Sequence, residues 1–304
     1  MSELPMPPAF RPLGRSDIAV SPIAWGMWRL ADNGRSVAEA TTLVHAALDA
    51  GINFLDTADI YGFNGSGGFG DAEALLGEVI ASEPGLRDRM VLATKGGILP
   101  PLPYDQSGDY LRKAIEDSLR RLKVDMVDLW QIHRPDILAH PQETARVLDD
   151  AVSSGKIRTI GVSNFTVHQI AALDHFLAEK LVTTQPEISP LRIDCFENGE
   201  LDQAMMLGLT PMAWSPLGGG RLAAPETPQD IAVAAALDAV AGAQGVSRTV
   251  AAYSWLMAHP AGIVPIIGSQ QPGRIAEGAQ ALKVRWTRQD WYAVLVAARG
   301  VPLP

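Results

Sequence analysis

The sequence predicts an α/β fold, a (β/α)₈ TIM barrel with an N-terminal β-hairpin and a C-terminal extra helix. Three observations predict it. Short apolar segments alternate with stretches whose apolar residues recur at helical spacing. Glycines stand at the junctions where such a helix would stop and a strand begin. Eight strand-like segments can be counted, and the GxGxxG pattern that would follow the first strand of a doubly wound sheet is absent. Parallel strands need helix-sized crossovers, and no interdomain linker interrupts the pattern, so residues 1–304 are expected to form one domain.

The elements follow in order. The Pro-rich start through Pro12 is expected to be an irregular arm. LGRSDIAVSPIAW reads as a hairpin over the bottom of the barrel, with Gly14 in its turn. The strands are IAWGMW, INFLDTA, MVLATK, MVDLWQIH, IRTIGVSN, VTTQPEIS, TPMAWS and GIVPIIGS. Residues 36–50 place Val37, Ala40, Leu43, Val44, Ala47 and Leu48 on one helical face before Gly51. Residues 107–122 do so with Leu111, Ile115, Leu119 and Leu122, and residues 141–154 with Val147, Leu148, Ala151 and Val152 before Gly155. Residues 199–207 end at Gly208. Two stretches exceed the repeat: the loop after TPMAWS to about residue 229, and a last helix from about Thr287 to Arg299.

Composition narrows the function. An apolar fraction of 47% supports a sizeable core, and a net charge of −9 argues against nucleic acid or an anionic membrane as the partner. A small phosphorylated ligand stays compatible, because a local basic pocket can oppose the net charge. Cys195 is the single cysteine, which excludes an intrachain disulfide and a cysteine-based zinc site. The N-terminus lacks the basic and apolar regions of a secretory signal, and no run reaches the roughly 18 apolar residues of a membrane span. The expected setting is cytoplasmic. Nothing in the pattern demands an oligomer, and a monomer is compatible with it.

The chemistry concentrates at strand ends. Asp56 and Tyr61 stand in NFLDTADIYG, Lys95 in MVLATKGG, and His133 in MVDLWQIHRPD. In an α/β barrel the carboxyl ends of all strands open on one face, so residues distant in sequence can meet there. Each taken alone has an ordinary role: a cap, an amphipathic aromatic, a snorkelling lysine, a satisfied histidine. Together they form a proton donor. A phenol with a reference pKa of about 10 holds its proton at neutral pH. A buried Lys95 ammonium beside it would ease proton release, and Asp56 could pair with that ammonium. His133 could orient a substrate oxygen. The set suits carbonyl reduction or the reverse, with a hydride donor that no side chain provides. Metal ligation by Asp56, Asp59 and His133 is disfavoured, since no HxH or HExxH spacing occurs and Lys95 would repel a cation. GFNGSGGFG (62–70) lacks a GK[ST] ending and reads as a flexible loop beside the substrate mouth.

These motifs, with GKIRTIGVSNF, QPEISPL and WSPLGGGRL in the same order, resemble the aldo-keto reductases over nearly the whole chain. The resemblance is closest to a bacterial branch of oxidoreductases expected to use NADP. It implies a barrel that binds NADP(H) in an extended pose, in preference to NAD(H), and a catalytic tetrad of Asp56, Tyr61, Lys95 and His133 with Tyr61 as general acid. It further implies that Ser163, Asn164 and Gln185 hold the nicotinamide carboxamide and that Trp214 stacks on its ring. Ser215, Pro216, Leu217 and Gly219 would fold over the pyrophosphate. Met27 and Trp28 would line the cleft. Gly268, Ser269, Gln270, Arg274 and Glu277 would form the adenosine end, with Arg274 on a 2′-phosphate and the helix near Pro272 pointing toward the phosphates. Many relatives carry lysine at Gly268 and asparagine at Gly278, and Thr184 replaces a common asparagine. The missing lysine leaves the adenosine end with one basic group fewer.

The function expected is reduction of a small-molecule aldehyde or ketone. An alternative on the same fold is a cofactor-sensing regulatory subunit, and a third is a metal-dependent hydrolase. Specificity would come from loops 62–70, 99–107 and 191–198. Trp28, Phe63 and Leu191 suggest an apolar wall and modest-sized hydrophobic carbonyls.

Overall fold

The computed structural model describes residues 3–303. Among the described residues ten strands form a two-stranded hairpin and a closed barrel. β1 (Arg11–Pro12) pairs antiparallel with β2 (Ala19–Val20). The barrel runs β3 (Ala24–Gly26), β4 (Phe54–Asp56), β5 (Val91–Gly96), β6 (Val127–Ile132), β7 (Ile157–Ser163), β8 (Thr183–Gln185), β9 (Thr210–Ala213) and β10 (Val264–Ile267), and β10 closes on β3. All eight staves pair in parallel. Seven of the eight are shorter than the apolar segments that mark them, and β5 is as long as its segment.

The crossover helices are α1 (Val37–Asp49), α2 (Asp71–Ser82), α3 (Gly108–Leu122), α4 (Pro141–Ser153), α5 (Val167–Phe176) and α6 (Glu200–Leu207). Between β9 and β10 lie two helices, α7 (Pro228–Gln244) and α8 (Arg248–Met257). After β10 come α9 (Pro272–Gly278) and α10 (Arg288–Arg299). α8 packs on β10, while α7 packs on α10, so the fold carries two helices beyond the barrel repeat. Only α10 was legible as such. α7 starts sharply at a capping box: Thr227 Oγ1 accepts from the Asp230 N–H, and the Asp230 side chain reaches back to the Thr227 N–H.

Two apolar layers hold these parts. An outer layer fills the space between sheet and helices. An inner plug, including Leu13, Ile18, Phe54, Leu129, Val182, Met212 and Val264, fills the lower barrel. The hairpin closes that end. The Gly14 N–H donates to Thr210 Oγ1 at 2.8 Å, and a Cβ on Gly14 would stand 2.3 Å from the Val182 carbonyl oxygen. Gly14 also has φ +56, so only glycine fits there without strain. With the bottom plugged by hydrocarbon, the polar residues of the barrel lumen collect at the other end. No helix is long and apolar enough to cross a membrane among the described residues.

Candidate active site

Asp56 is the last residue of β4, and the chain then turns through 59–62 to present Tyr61. The turn is fixed to the neighbouring strand. The Thr57 and Asp59 N–H groups donate to the Ala93 and Lys95 carbonyls, each at 2.9 Å. Lys95 lies within β5, and His133 directly follows β6, its N–H donating to the Gly96 carbonyl at 2.8 Å. The sheet thus delivers the four residues to one place.

Lys95 Nζ is 2.6 Å from Asp56 Oδ2, 3.1 Å from Tyr61 Oη and 2.8 Å from the Thr57 carbonyl oxygen. The ammonium therefore has three acceptors. The Tyr61 and His133 rings meet edge-on, with centroids 5.8 Å apart. The side chains of Lys95 and Asp56 are 0% and 2% exposed, so water does not screen the pair. Burial alone would lower the Lys95 pKa, but Asp56 and Tyr61 outweigh it and hold the ammonium above its ordinary range. Burial pushes the Tyr61 phenol up, and the Lys95 charge pulling the other way does not cancel the effect. Burial, then the charges of Lys95 and Arg134, holds His133 well below its ordinary value, so the imidazole is neutral at pH 7. Its Nδ1 is buried with no hydrogen-bond partner among the described residues.

A ring of polar groups surrounds this centre. The Gln185 side chain donates from Nε2 to Asp56 Oδ1 at 3.0 Å, and its Oε1 accepts from no group among the described residues. Ser163 Oγ donates to the Gln185 carbonyl at 2.8 Å. Asn164 Nδ2 donates to Ser163 Oγ at 2.8 Å and to the His133 carbonyl at 3.2 Å. Trp214 Nε1 donates to Asn164 Oδ1 at 2.9 Å. Ser163, Asn164, Gln185 and Trp214 therefore form one bonded set around His133. Asn164 and Ser215 both have positive φ, 60° and 53°, an unusual backbone for residues other than glycine. Such positions concentrate at sites where the chain is shaped for a ligand.

The remaining sequence-predicted residues divide. Gly218, Gly219 and Gly220 all have positive φ, and a Cβ on Gly219 or Gly220 would meet nothing within 4 Å, so Gly219 lies on an open turn, whereas Pro216 is buried and Leu217 packs against the core. Gln270 Nε2 donates to the Gly26 carbonyl at 3.1 Å, and the Ser269 carbonyl accepts from Trp25 Nε1 at 3.0 Å, so this segment is tied to β3. Arg274 is exposed and enters none of the ion pairs among the described residues; Glu277 is half-buried on the same short helix. Gly268 is exposed, with open space where a side chain would stand, whereas a Cβ on Gly278 would meet Ile267 Cδ1 at 2.3 Å.

Some expectations need correction. Met27 is fully buried in the outer core, so its side chain offers the cleft no surface, while Trp28 is 65% exposed. The apolar wall is thinner than the sequence suggests. Leu191 is buried beside Gly218, and Phe63 packs edge-on against Phe69. The 62–70 loop is closed on itself: Asn64 Oδ1 accepts from the Ser66 and Gly67 N–H groups. Asp59 is buried, and burial followed by Glu73 pushes its pKa well up. No group of three or more His, Cys, Asp or Glu residues is placed to hold a metal ion among the described residues.

Two residues of consequence were not singled out by their sequence pattern. Gln131 is buried in β6 with Nε2 3.4 Å from Asp56 Oδ1. Arg134 follows His133; its guanidinium lies over the Trp214 ring at 5.7 Å and takes part in no ion pair among the described residues. A polar residue inside the apolar run LWQIH was the available signal for Gln131.

The family model for the Aldo/keto reductase family matches residues 22–295. The chain belongs to the aldo/keto reductase family. Two curated relatives are named 6-dehydroglucose reductase. One, from Novosphingobium aromaticivorans, is 85% identical over all 304 residues of both chains. The other, from Agrobacterium fabrum, is 40% identical over 93% of this chain and 96% of its own. The crystal structure of a thermostable aldo-keto reductase with the inhibitor epalrestat shares the fold, at a TM-score of 0.81 and 24% identity, covering 95% of this chain and 99% of that one. This aldo-keto reductase is accordingly an oxidoreductase acting on carbonyl or CH–OH groups, and its family implies a nicotinamide cofactor. The residues present fit such a group. Gln185 Oε1 is an unused acceptor for a carboxamide N–H, and Gly219 and Gly220 leave open space beside the backbone, while the Gly218 and Gly220 N–H groups donate to the Ser215 and Leu217 carbonyls.

Proposed function

We propose that this aldo-keto reductase reduces the sugar carbonyl 6-dehydroglucose with NADPH. The observation that carries the chemistry is Lys95 Nζ within 3.1 Å of Tyr61 Oη while bound to Asp56. A reduced nicotinamide, when bound, supplies the hydride. Tyr61 donates its proton to the carbonyl oxygen as negative charge develops there, and the Lys95 ammonium stabilises the phenolate left behind. Asp56 keeps Lys95 charged. Neutral His133 hydrogen-bonds the substrate oxygen without adding a cation to repel Lys95. Ser163, Asn164 and Gln185 hold the carboxamide, and Trp214 offers a ring for stacking.

The substrate follows from the two relatives' name and is supported at the mouth. Carbon 6 of a hexose is terminal, so its carbonyl is an aldehyde, and reduction gives glucose. A wholly apolar wall would reject the sugar's hydroxyls. Arg134 instead offers guanidinium N–H groups with no ionic partner, and the exposed Trp28 indole offers a face for the sugar's C–H groups. The test is turnover of 6-dehydroglucose beside benzaldehyde, in the wild type and in Arg134→Leu. The variant is expected to raise KM for the sugar on the order of tenfold, the scale of a lost hydrogen bond to a charged group, with KM for benzaldehyde changed by less than about twofold. Equal losses on both would remove Arg134 from sugar recognition.

Preference for NADPH rests on Arg274, an exposed cation free to meet a 2′-phosphate. Fluorescence titration of Arg274→Ala should show NADPH bound about tenfold more weakly, with NADH little changed. Gly268→Lys, where nothing obstructs a side chain, should tighten NADPH selectively. Parallel changes for both cofactors would contradict the assignment. A purely regulatory subunit would bind NADPH and consume none with any carbonyl.

A further inference from the structure

Beneath the tetrad a buried polar row crosses four strands. The register of the sheet aligns Lys95 with Gln131, Gln131 with Gly161, and Gly161 with Thr183. Gln131 and Thr183 are each 0% exposed. Thr183 Oγ1 donates to Gln131 Oε1 at 3.0 Å, and Gln131 Nε2 points to Asp56 Oδ1 at 3.4 Å. Between them stands Gly161. A Cβ there would lie 1.9 Å from Thr183 Oγ1 and 3.1 Å from Gln131 Cγ. The missing side chain on β7 is what lets Thr183 and Gln131 meet.

A buried amide and hydroxyl are costly unless bonded, and an apolar pair of similar shape would fill the space as well. What the polar pair adds is a third donor for Asp56, the second to its Oδ1. One carboxylate oxygen, Oδ2, faces Lys95. The other, Oδ1, takes Gln185 at 3.0 Å and Gln131 at 3.4 Å. The two amides keep the carboxylate from drawing the Lys95 proton to itself in a dry site, since donors to the charged form favour it.

We infer that Gln131 is a positioning residue for the reaction, braced by Thr183 in the space Gly161 leaves, and that it holds Asp56 as the anion which keeps Lys95 charged beside Tyr61. This rests on the tetrad roles proposed above. Without Gln131, Asp56 competes more strongly for the Lys95 proton. Tyr61 then faces a weaker cation, becomes harder to ionise, and donates less readily.

The test compares wild type, Gln131→Leu, and Gln131→Leu with Thr183→Val, which also removes the hydroxyl left unpaired. In Gln131→Leu, kcat for carbonyl reduction is expected to fall about tenfold, the low end for impaired acid catalysis, with the NADPH Kd unchanged. In the alcohol-oxidation direction Tyr61 must be ionised, so the acid limb of the pH–rate profile should move to higher pH. The double variant should recover stability to urea without recovering kcat or the limb. It carries the test where the single variant does not fold. Rates within twofold of wild type, or rates restored together with stability, would overturn the inference. Wild-type turnover is measured alongside: a chain with none overturns the tetrad roles themselves, whereas normal turnover insensitive to Gln131 overturns only the part assigned to Gln131.

Discussion

Tyr61→Phe is expected to lower kcat for carbonyl reduction by roughly 10²- to 10⁴-fold, the usual scale for a positioned acid, and to leave NADPH affinity nearly unchanged. The substitution removes one oxygen. That oxygen stands 3.1 Å from Lys95 Nζ. Burial raises the phenol's pKa above its ordinary range, so the wild-type oxygen stays protonated across neutral pH and is ready to donate. With Phe, the alkoxide must find its proton from His133 or from water. His133 is held neutral by burial and by Lys95 and Arg134, which makes it a poor acid at neutral pH. Stopped assays at saturating NADPH measure the loss. A Phe variant with near-normal kcat would mean that another group supplies the proton.

Lys95→Met is expected to cost both activity and stability. Removing one partner of a buried ion pair leaves the other charge uncompensated, at roughly 3–5 kcal/mol. Asp56 would retain Gln185 and Gln131 as donors, which places the expected loss toward the lower end of that range. Urea unfolding measures it. Adding Asp56→Asn removes the stranded charge, so the double variant should regain most of the stability while activity stays lost. A single variant as stable as wild type would show that the pair is not held in a dry, closed geometry. A double variant that regained activity would show that neither charge serves the chemistry.

Much of this was legible in the sequence, for identifiable reasons. Asp56, Lys95 and His133 each break an apolar run at its carboxyl end, and barrel geometry brings such breaks together. The strands between Gly51, Gly155 and Gly208 and their neighbours were legible because glycine stops each preceding helix. α7 was harder. Its buried face of Val233, Ala234, Leu237, Val240 and Ala241 is masked in the sequence by the exposed Ala232, Ala235 and Ala239, and it packs on α10 and α8. Met27 is buried while its neighbour Trp28 is exposed, because adjacent residues leaving a strand face opposite ways. Gln131 lay hidden because its importance depends on Gly161 and Thr183, and only the register of three strands brings those together. Arg134 carries no pattern of its own in the sequence, because its place over the Trp214 ring depends on a contact between residues roughly eighty positions apart.

The most direct measurement is the rate of NADPH consumption with 6-dehydroglucose by the wild-type chain and by Tyr61→Phe, both saturated with cofactor, with glucose quantified as product. Wild type should consume NADPH and form glucose one for one, and the Phe variant should do so at least a hundredfold more slowly, roughly. Equal rates in the two proteins, or NADPH bound by the wild type but never consumed, would contradict the roles of Tyr61 as proton donor and Lys95 as its supporting cation.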